Sequence, residues 1–77
     1  MEEKLKITHQ ILGSSRKSRD EYLFTCPFCN HHKKKLSINF GKGYWKCWVC
    51  DTRGKNIYRI IRKFGTYQQR QKWLELE

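Results

Sequence analysis

The 77-residue sequence is poor in acidic residues and has no long hydrophobic run. No apolar stretch approaches the roughly 20 residues that a membrane-spanning helix needs, so no membrane partner is expected. The seven acidic residues are scattered and lie mostly toward the two ends, so they form no carboxylate cluster of the kind that catalytic metal sites use. The sequence therefore predicts no catalytic centre in this chain.

Hydrophobic residues are also scarce, at 38% of the chain. A chain this short forms one domain at most, and its small core gives only marginal stability. A bound metal is the natural additional source of stability, with metal binding coupled to folding.

What the sequence does have is four cysteines in two Cys-x-x-Cys pairs, Cys26 with Cys29 and Cys47 with Cys50. The pairs are separated by 17 residues, a spacing typical of a four-cysteine zinc site. Each pair supplies two thiolates from one tight turn, and four thiolates complete a tetrahedral coordination sphere. We expect one structural Zn²⁺ with no open position for an activated water.

Two other interpretations of the cysteines are weaker. A pair of disulfides would suit a small secreted protein, but the segment after Met1 is amphipathic and does not resemble a secretory signal. His31 and His32 follow the first pair and are alternative ligands, although four well-spaced cysteines leave them without a role in the metal site. The chain is expected to reside in a reducing compartment.

Basic residues dominate the charge, with 17 Lys and Arg giving a formal net charge of +10. Zinc and its four thiolates would lower that charge to about +8, which is still large for a chain of this size. Such an excess favours a polyanionic partner, most simply a nucleic acid.

The central part of the sequence predicts a zinc ribbon. Residues 22–25, 36–40 and 44–48 have the pattern of strands, and residues 41–43 form the turn between the last two. Together they predict a three-stranded antiparallel sheet whose cysteine turns converge at one end.

Short helices flank this ribbon, which makes the predicted fold class α+β. Apolar periodicity predicts a helix over residues 2–12 that ends at Gly13, and a second helix that begins after Asn56. Thr66 with Gln69 is a capping box for a last helix. The expected segments are 1–13, 14–55 and 56–77, packed as a single domain.

Nucleic-acid binding uses cations for phosphates and aromatic faces for unpaired bases, and the ribbon interleaves both. Strand alternation places Tyr44, Lys46 and Trp48 on one face and Trp45 on the other, in the core. Ser37 and Asn39 are candidates for hydrogen bonds to base edges, although an ordinary exposed strand face explains them equally well. The predicted nucleic-acid-binding residues are Lys33, Lys34, Lys35, Lys42, Tyr44, Lys46, Trp48, Arg53 and Lys55.

Residues 22–30 (Tyr-Leu-Phe-Thr-Cys-Pro-Phe-Cys-Asn), 44–50 (Tyr-Trp-Lys-Cys-Trp-Val-Cys) and 54–57 (Gly-Lys-Asn-Ile) resemble the zinc-binding domain of bacterial and phage DNA primases. The similarity covers about residues 10 to 65. Many bacterial primases have histidine as the second ligand, whereas this chain has Cys29, which is more similar to the phage branch.

The resemblance implies that the ribbon reads a short initiation sequence on a single-stranded DNA template. It would deliver that template to a separate primase catalytic domain, with a replicative helicase as a further expected partner, in the cytoplasm of a bacterial or phage-infected cell. Tyr44 resembles a family position implicated in template-base recognition. The chain is then either the non-catalytic piece of a larger primase or a free-standing relative.

Two alternatives from other classes stay open. One is a zinc-ribbon adapter that binds a polymerase or helicase through an acidic protein patch. The other is a small regulator of duplex DNA, for which Gln68, Gln69 and Gln71 supply polar side chains near the C-terminus.

Overall fold

The computed structural model describes residues 2–29 and 33–77. In those ranges three helices flank one five-stranded antiparallel sheet with the strand order β1-β2-β3-β4-β5. The elements in chain order are α1 (Glu2–Leu12), β1 (Arg16–Ser18), β2 (Glu21–Phe24), β3 (Leu36–Asn39), β4 (Tyr44–Cys47), β5 (Arg53–Gly54), α2 (Tyr58–Phe64) and α3 (Tyr67–Glu75).

The α+β fold class is confirmed, but the prediction of three strands is wrong because the sheet has five. Residues 13–20 are polar and basic, a composition that predicts a flexible loop, but the structure has β1 there. β1 pairs with β2 from Arg16 opposite Leu23 to Ser18 opposite Glu21. β5 pairs only Arg53 and Gly54 with β4. Both added strands are short, and their residues are exposed or half-buried. They form by main-chain pairing and have no apolar alternation, so the sequence pattern does not reveal them.

One face of the sheet is covered by the helices. Phe24, Ile38 and Trp45 project from β2, β3 and β4 and are fully or almost fully buried. They form one core cluster with helix residues such as Ile60 and Trp73, so the helices pack on this side. The register places Ser37, Lys46 and Arg53 directly across from one another on the opposite side, which we call the open face.

The ends of α1 and α3 follow the predicted signals, whereas the N-cap of α2 is Ile57, which makes no side-chain capping bond, and not the predicted Asn56. Gly13 adopts a φ of 90° after α1, and its N–H donates to the carbonyl of His9. The Asn56 side chain accepts a hydrogen bond from the N–H of Tyr58 at 3.0 Å as α2 begins. Thr66 and Gln69 form the full capping box of α3. No helix in residues 2–29 and 33–77 has the length and apolar character needed to cross a bilayer.

Trp45 is the central side chain of the core. Its ring stacks on Phe28 with centroids 5.4 Å apart, and its Nε1–H donates to the carbonyl of Asn56 at 3.0 Å. Gly54 lies opposite Trp45 in the sheet. A β-carbon on Gly54 would approach the indole ring to 2.8 Å, so the missing side chain is what allows β5 to pack over this ring.

Replacing Gly54 with alanine should therefore destabilise the fold by about 1–3 kcal/mol, since the buried indole is held in place by Phe28 and by its hydrogen bond to Asn56. Denaturant unfolding followed by tryptophan fluorescence measures this loss. Gly41→Ala is the matched control, because a β-carbon there meets its nearest atom at an ordinary 3.5 Å. Equal stability of the two variants would contradict the proposed role of Gly54.

Candidate metal centre and nucleic-acid interface

The four cysteine sulfurs converge at one end of the sheet, with all four Sγ atoms within 4.8 Å of one another. The Sγ atoms of Cys26 and Cys50 are 3.8 Å apart, and those of Cys29 and Cys47 are 3.6 Å apart. Zn–S bonds of about 2.3 Å in a tetrahedron require sulfur separations of about 3.8 Å. The donor set and its spacing thus fit one structural zinc ion.

Backbone N–H groups of the two cysteine turns support this geometry. Val49 and Cys50 both direct their N–H groups at the Sγ of Cys47, at 3.4 and 3.5 Å. The N–H groups of Phe28 and Cys29 approach Cys26 in the same way. Such hydrogen bonds stabilise a thiolate and fix its direction, so both turns are built to present sulfur to a metal.

The cysteines experience different electrostatic environments. Burial raises the pKa of the Cys26 thiol to about 12. The Thr52 hydroxyl, 3.1 Å from the exposed Cys50 sulfur, is the main cause that lowers the pKa of that thiol to about 6. Zinc binds thiolates, so occupation of the site releases the protons that its thiols hold.

The disulfide interpretation does not agree with the structure, because none of the four cysteines forms a disulfide bond. The sulfur separations of 3.6 and 3.8 Å stand well beyond the roughly 2.05 Å of a disulfide bond. The histidine alternative involved His31 and His32, and these two positions lie outside the described residues.

The open face carries a groove of about 660 Å³ that we call the open-face groove. β4 forms the centre of this groove. β5 and the turn that follows it form one wall, and the start of β2 forms the other wall. It includes five of the nine predicted nucleic-acid-binding residues. The lining residues are Glu21, Ser37, Tyr44, Trp45, Lys46, Trp48, Arg53, Gly54 and Lys55.

Trp48 is the most exposed aromatic side chain of this groove, with 62% of its surface accessible. Its Nε1–H donates to the Ser37 hydroxyl at 3.3 Å, which fixes the edge of the ring. The Lys46 ammonium lies 4.3 Å from the ring centroid and is also paired with Asp51 at 3.4 Å. One indole face is thus occupied by a cation, and the ring is held in place before any ligand arrives.

Ser37 and Asn39 are not free to contact base edges, so the suggestion that they do so is wrong for this structure. Ser37 is 3% exposed and accepts the Trp48 hydrogen bond, while Asn39 is 5% exposed. The Asn39 Oδ1 accepts the N–H of Lys42 at 2.9 Å and so shapes the β3–β4 turn. Both short polar side chains are covered by their neighbours on the open face.

The remaining predicted contacts lie outside the open-face groove. Lys42 lines a separate groove beside Lys17 and Arg19, at the opposite end of the sheet from the cysteines. Lys33 and Lys35 are exposed and Lys34 is half-buried, in the segment before β3. The carbonyl of Lys35 accepts the N–H of Trp48 at 2.9 Å, so this segment runs beside the groove.

Sequence patterns gave no reason to single out Glu21. Its carboxylate accepts a hydrogen bond from the Tyr44 hydroxyl at 3.4 Å, across the intervening strand β3. Among the described residues that line the open-face groove, it is the one acidic side chain. Only the pairing of β2 with β3 and of β3 with β4 places it beside Tyr44, and that register is not visible in the local sequence around either residue.

Comparison with known proteins gives one match. The family model described as CHC2 zinc finger, of the DnaG-type zinc-ribbon class, matches residues 3–75. No curated protein and no solved structure matches the chain.

Proposed function

The chain belongs to the CHC2 zinc-finger family of DnaG-type zinc ribbons, and from that premise we propose that it binds single-stranded DNA through the open-face groove. In this role it would present a template for primer initiation. A primase catalytic domain, a replicative helicase or both are the proposed protein partners, since the acidic residues of this chain are too scattered to form a polymerising centre.

The observation that carries the proposal is the composition of the open-face groove. Three cations, Lys46, Arg53 and Lys55, line the same groove as the aromatic side chains of Tyr44 and Trp48. A single strand offers phosphates on one side and unpaired bases on the other, so a binding surface needs both kinds of group within one nucleotide's reach. A purely electrostatic surface for an acidic protein would not require exposed, oriented aromatic rings.

The duplex-binding alternative is less well supported. Gln69 is engaged within the fold, because its side chain bonds the backbone of Thr66 and the side chain of Gln10. The neighbouring α2 presents Arg59, Arg62 and Lys63 but no exposed amide side chain. Gln68 and Gln71 remain exposed on α3, so the duplex-binding alternative now depends on these two amides and on the arginines of α2.

The test is a titration of zinc-loaded protein against labelled single-stranded and duplex oligonucleotides by fluorescence anisotropy at several salt concentrations. A triple variant removes three groove cations through Lys46→Ala, Arg53→Ala and Lys55→Ala. We expect it to bind single strands more weakly and to reduce the slope of log affinity against log salt by about 2, at roughly 0.7 per lost phosphate contact.

The matched control removes the same charge from the helical side through Lys6→Ala, Arg62→Ala and Lys72→Ala, all at exposed positions. It should keep the wild-type slope. Equal losses of affinity for single strands in both triple variants would indicate a diffuse basic surface. Tighter binding to duplexes than to single strands would favour a small regulator that binds duplex DNA. Absence of DNA binding at low salt would favour the protein adapter.

A further inference from the structure

Glu21 is an acidic residue within a groove that is otherwise suited to binding phosphates. It shares the open-face groove with Lys46, Arg53 and Lys55, in a protein with 17 basic and 7 acidic residues. A carboxylate at this place repels the phosphates that the three cations attract. Its position therefore calls for a role other than phosphate binding.

The position of Glu21 relative to Tyr44 suggests that role. Tyr44 lies opposite Asn39 on β3, and its hydroxyl reaches across that strand to within 3.4 Å of the Glu21 carboxylate. A base stacked on the Tyr44 ring would extend over the hydroxyl end of that ring. The edge of such a base would then lie beside the carboxylate, within reach of a hydrogen bond.

A carboxylate only accepts hydrogen bonds, so it distinguishes bases by the donors on their edges. Cytosine, adenine and guanine each carry an exocyclic amino group, and glutamate or aspartate accepting from the amino group of cytosine is a recognised pairing. Thymine has carbonyl oxygens on both sides of its single N–H donor, and a carboxylate repels both of them.

We propose that Glu21 is a specificity-determining residue that selects a template base bearing an amino group and disfavours thymine. This inference rests on the proposed function, because it requires a single strand in the open-face groove. Tyr44 supplies the stacking surface, and Glu21 reads the edge of the base that the surface presents.

The experiment measures, by fluorescence anisotropy, the affinity of the zinc-loaded chain for two oligonucleotides. One consists of thymidine and the other of 5-methyldeoxycytidine, so the two differ only at the hydrogen-bonding edge of the base. Wild type should prefer the 5-methylcytosine strand by about threefold to tenfold, as expected for one partly exposed hydrogen bond. Glu21→Ala should abolish that preference and bind the thymidine strand about twofold more tightly at low salt, because a repulsive charge is gone.

Three further variants separate base reading from other roles of Glu21. Glu21→Gln should also lose the preference, since an amide donates as well as accepts. Tyr44→Phe removes the hydroxyl contact and keeps the ring, so it should retain the preference; if it loses the preference as Glu21→Ala does, Glu21 acts only by orienting Tyr44. Glu75→Ala makes the same charge change at an exposed position on α3 and should leave the preference intact.

The outcomes also separate this inference from the proposed function. Binding of both strands with equal affinity by the wild type, or a preference that persists in Glu21→Ala, overturns the inference and leaves single-strand binding standing. Absence of binding to either strand overturns both.

Discussion

Replacing Cys47 with serine is expected to abolish the cooperative unfolding transition of this protein. Cys47 has no exposed surface, contributes to the metal site and lies within the hydrophobic core. Structural zinc provides apparent binding free energies of about 10–16 kcal/mol in zinc-finger peptides at pH 7. A core of this size rarely supplies more than about 3–5 kcal/mol, so the fold should not survive a damaged metal site.

Circular dichroism, tryptophan fluorescence and metal content measure the effect together. Cys47→Ser should show disordered backbone, a solvent-exposed Trp45 and less than one tightly bound zinc per chain. Wild type treated with a chelator should give the same spectra and recover when zinc is returned, whereas the variant should not recover. Ser18→Ala, at an exposed position in β1, is the control for substitution itself. A cooperative transition in Cys47→Ser with full zinc content would contradict the structural role of the metal.

The parts of the fold that the sequence predicts are those with a strong local signal. Cysteine spacing predicts the metal site, and apolar alternation places Ile38 and Trp45 in the core, where the structure has them. β1 and β5 lack such a signal. All three residues of β1 are exposed, and β5 meets the core only through Gly54, which has no side chain. Their existence depends on main-chain pairing with β2 and β4, which is a long-range property.

In the candidate site, too, the sequence predicts the features that have a local signal and does not predict those that depend on distant residues. Alternation along β4 predicts that Tyr44 and Lys46 share a face, and the pairing of Lys46 with Arg53 extends that face onto β5. Burial of Ser37 was not predictable, because it depends on Trp48 folding back over β3 to donate its hydrogen bond. Glu21 was missed for a related reason, since the residue that it contacts is 23 positions away in sequence.

Trp48→Ala should reduce affinity for single-stranded DNA by about tenfold to a hundredfold, while the protein remains folded. Stacking of a base on an aromatic side chain is worth about 1–3 kcal/mol by alanine substitution, and about 1.4 kcal/mol is a factor of ten. The indole is pre-oriented by Ser37 and Lys46, so little ordering entropy is lost when a base stacks on its remaining face. Because the ring is largely exposed, its removal should cost less than about 1 kcal/mol of stability.

Tyr67→Ala is the matched control for this variant, since Tyr67 is 66% exposed and lies on α3, on the helical side of the sheet. Its affinity for single strands should equal that of the wild type, and the free energy of unfolding of both variants should lie within about 1 kcal/mol of the wild-type value.

Quenching of tryptophan fluorescence by bound DNA gives a second measurement, because Trp45 and Trp73 are buried and Trp48 is the exposed indole among the described residues. Quenching should therefore disappear in Trp48→Ala. Retention of both quenching and affinity in that variant would exclude Trp48 as the stacking surface and limit the open-face groove to its cations and Tyr44.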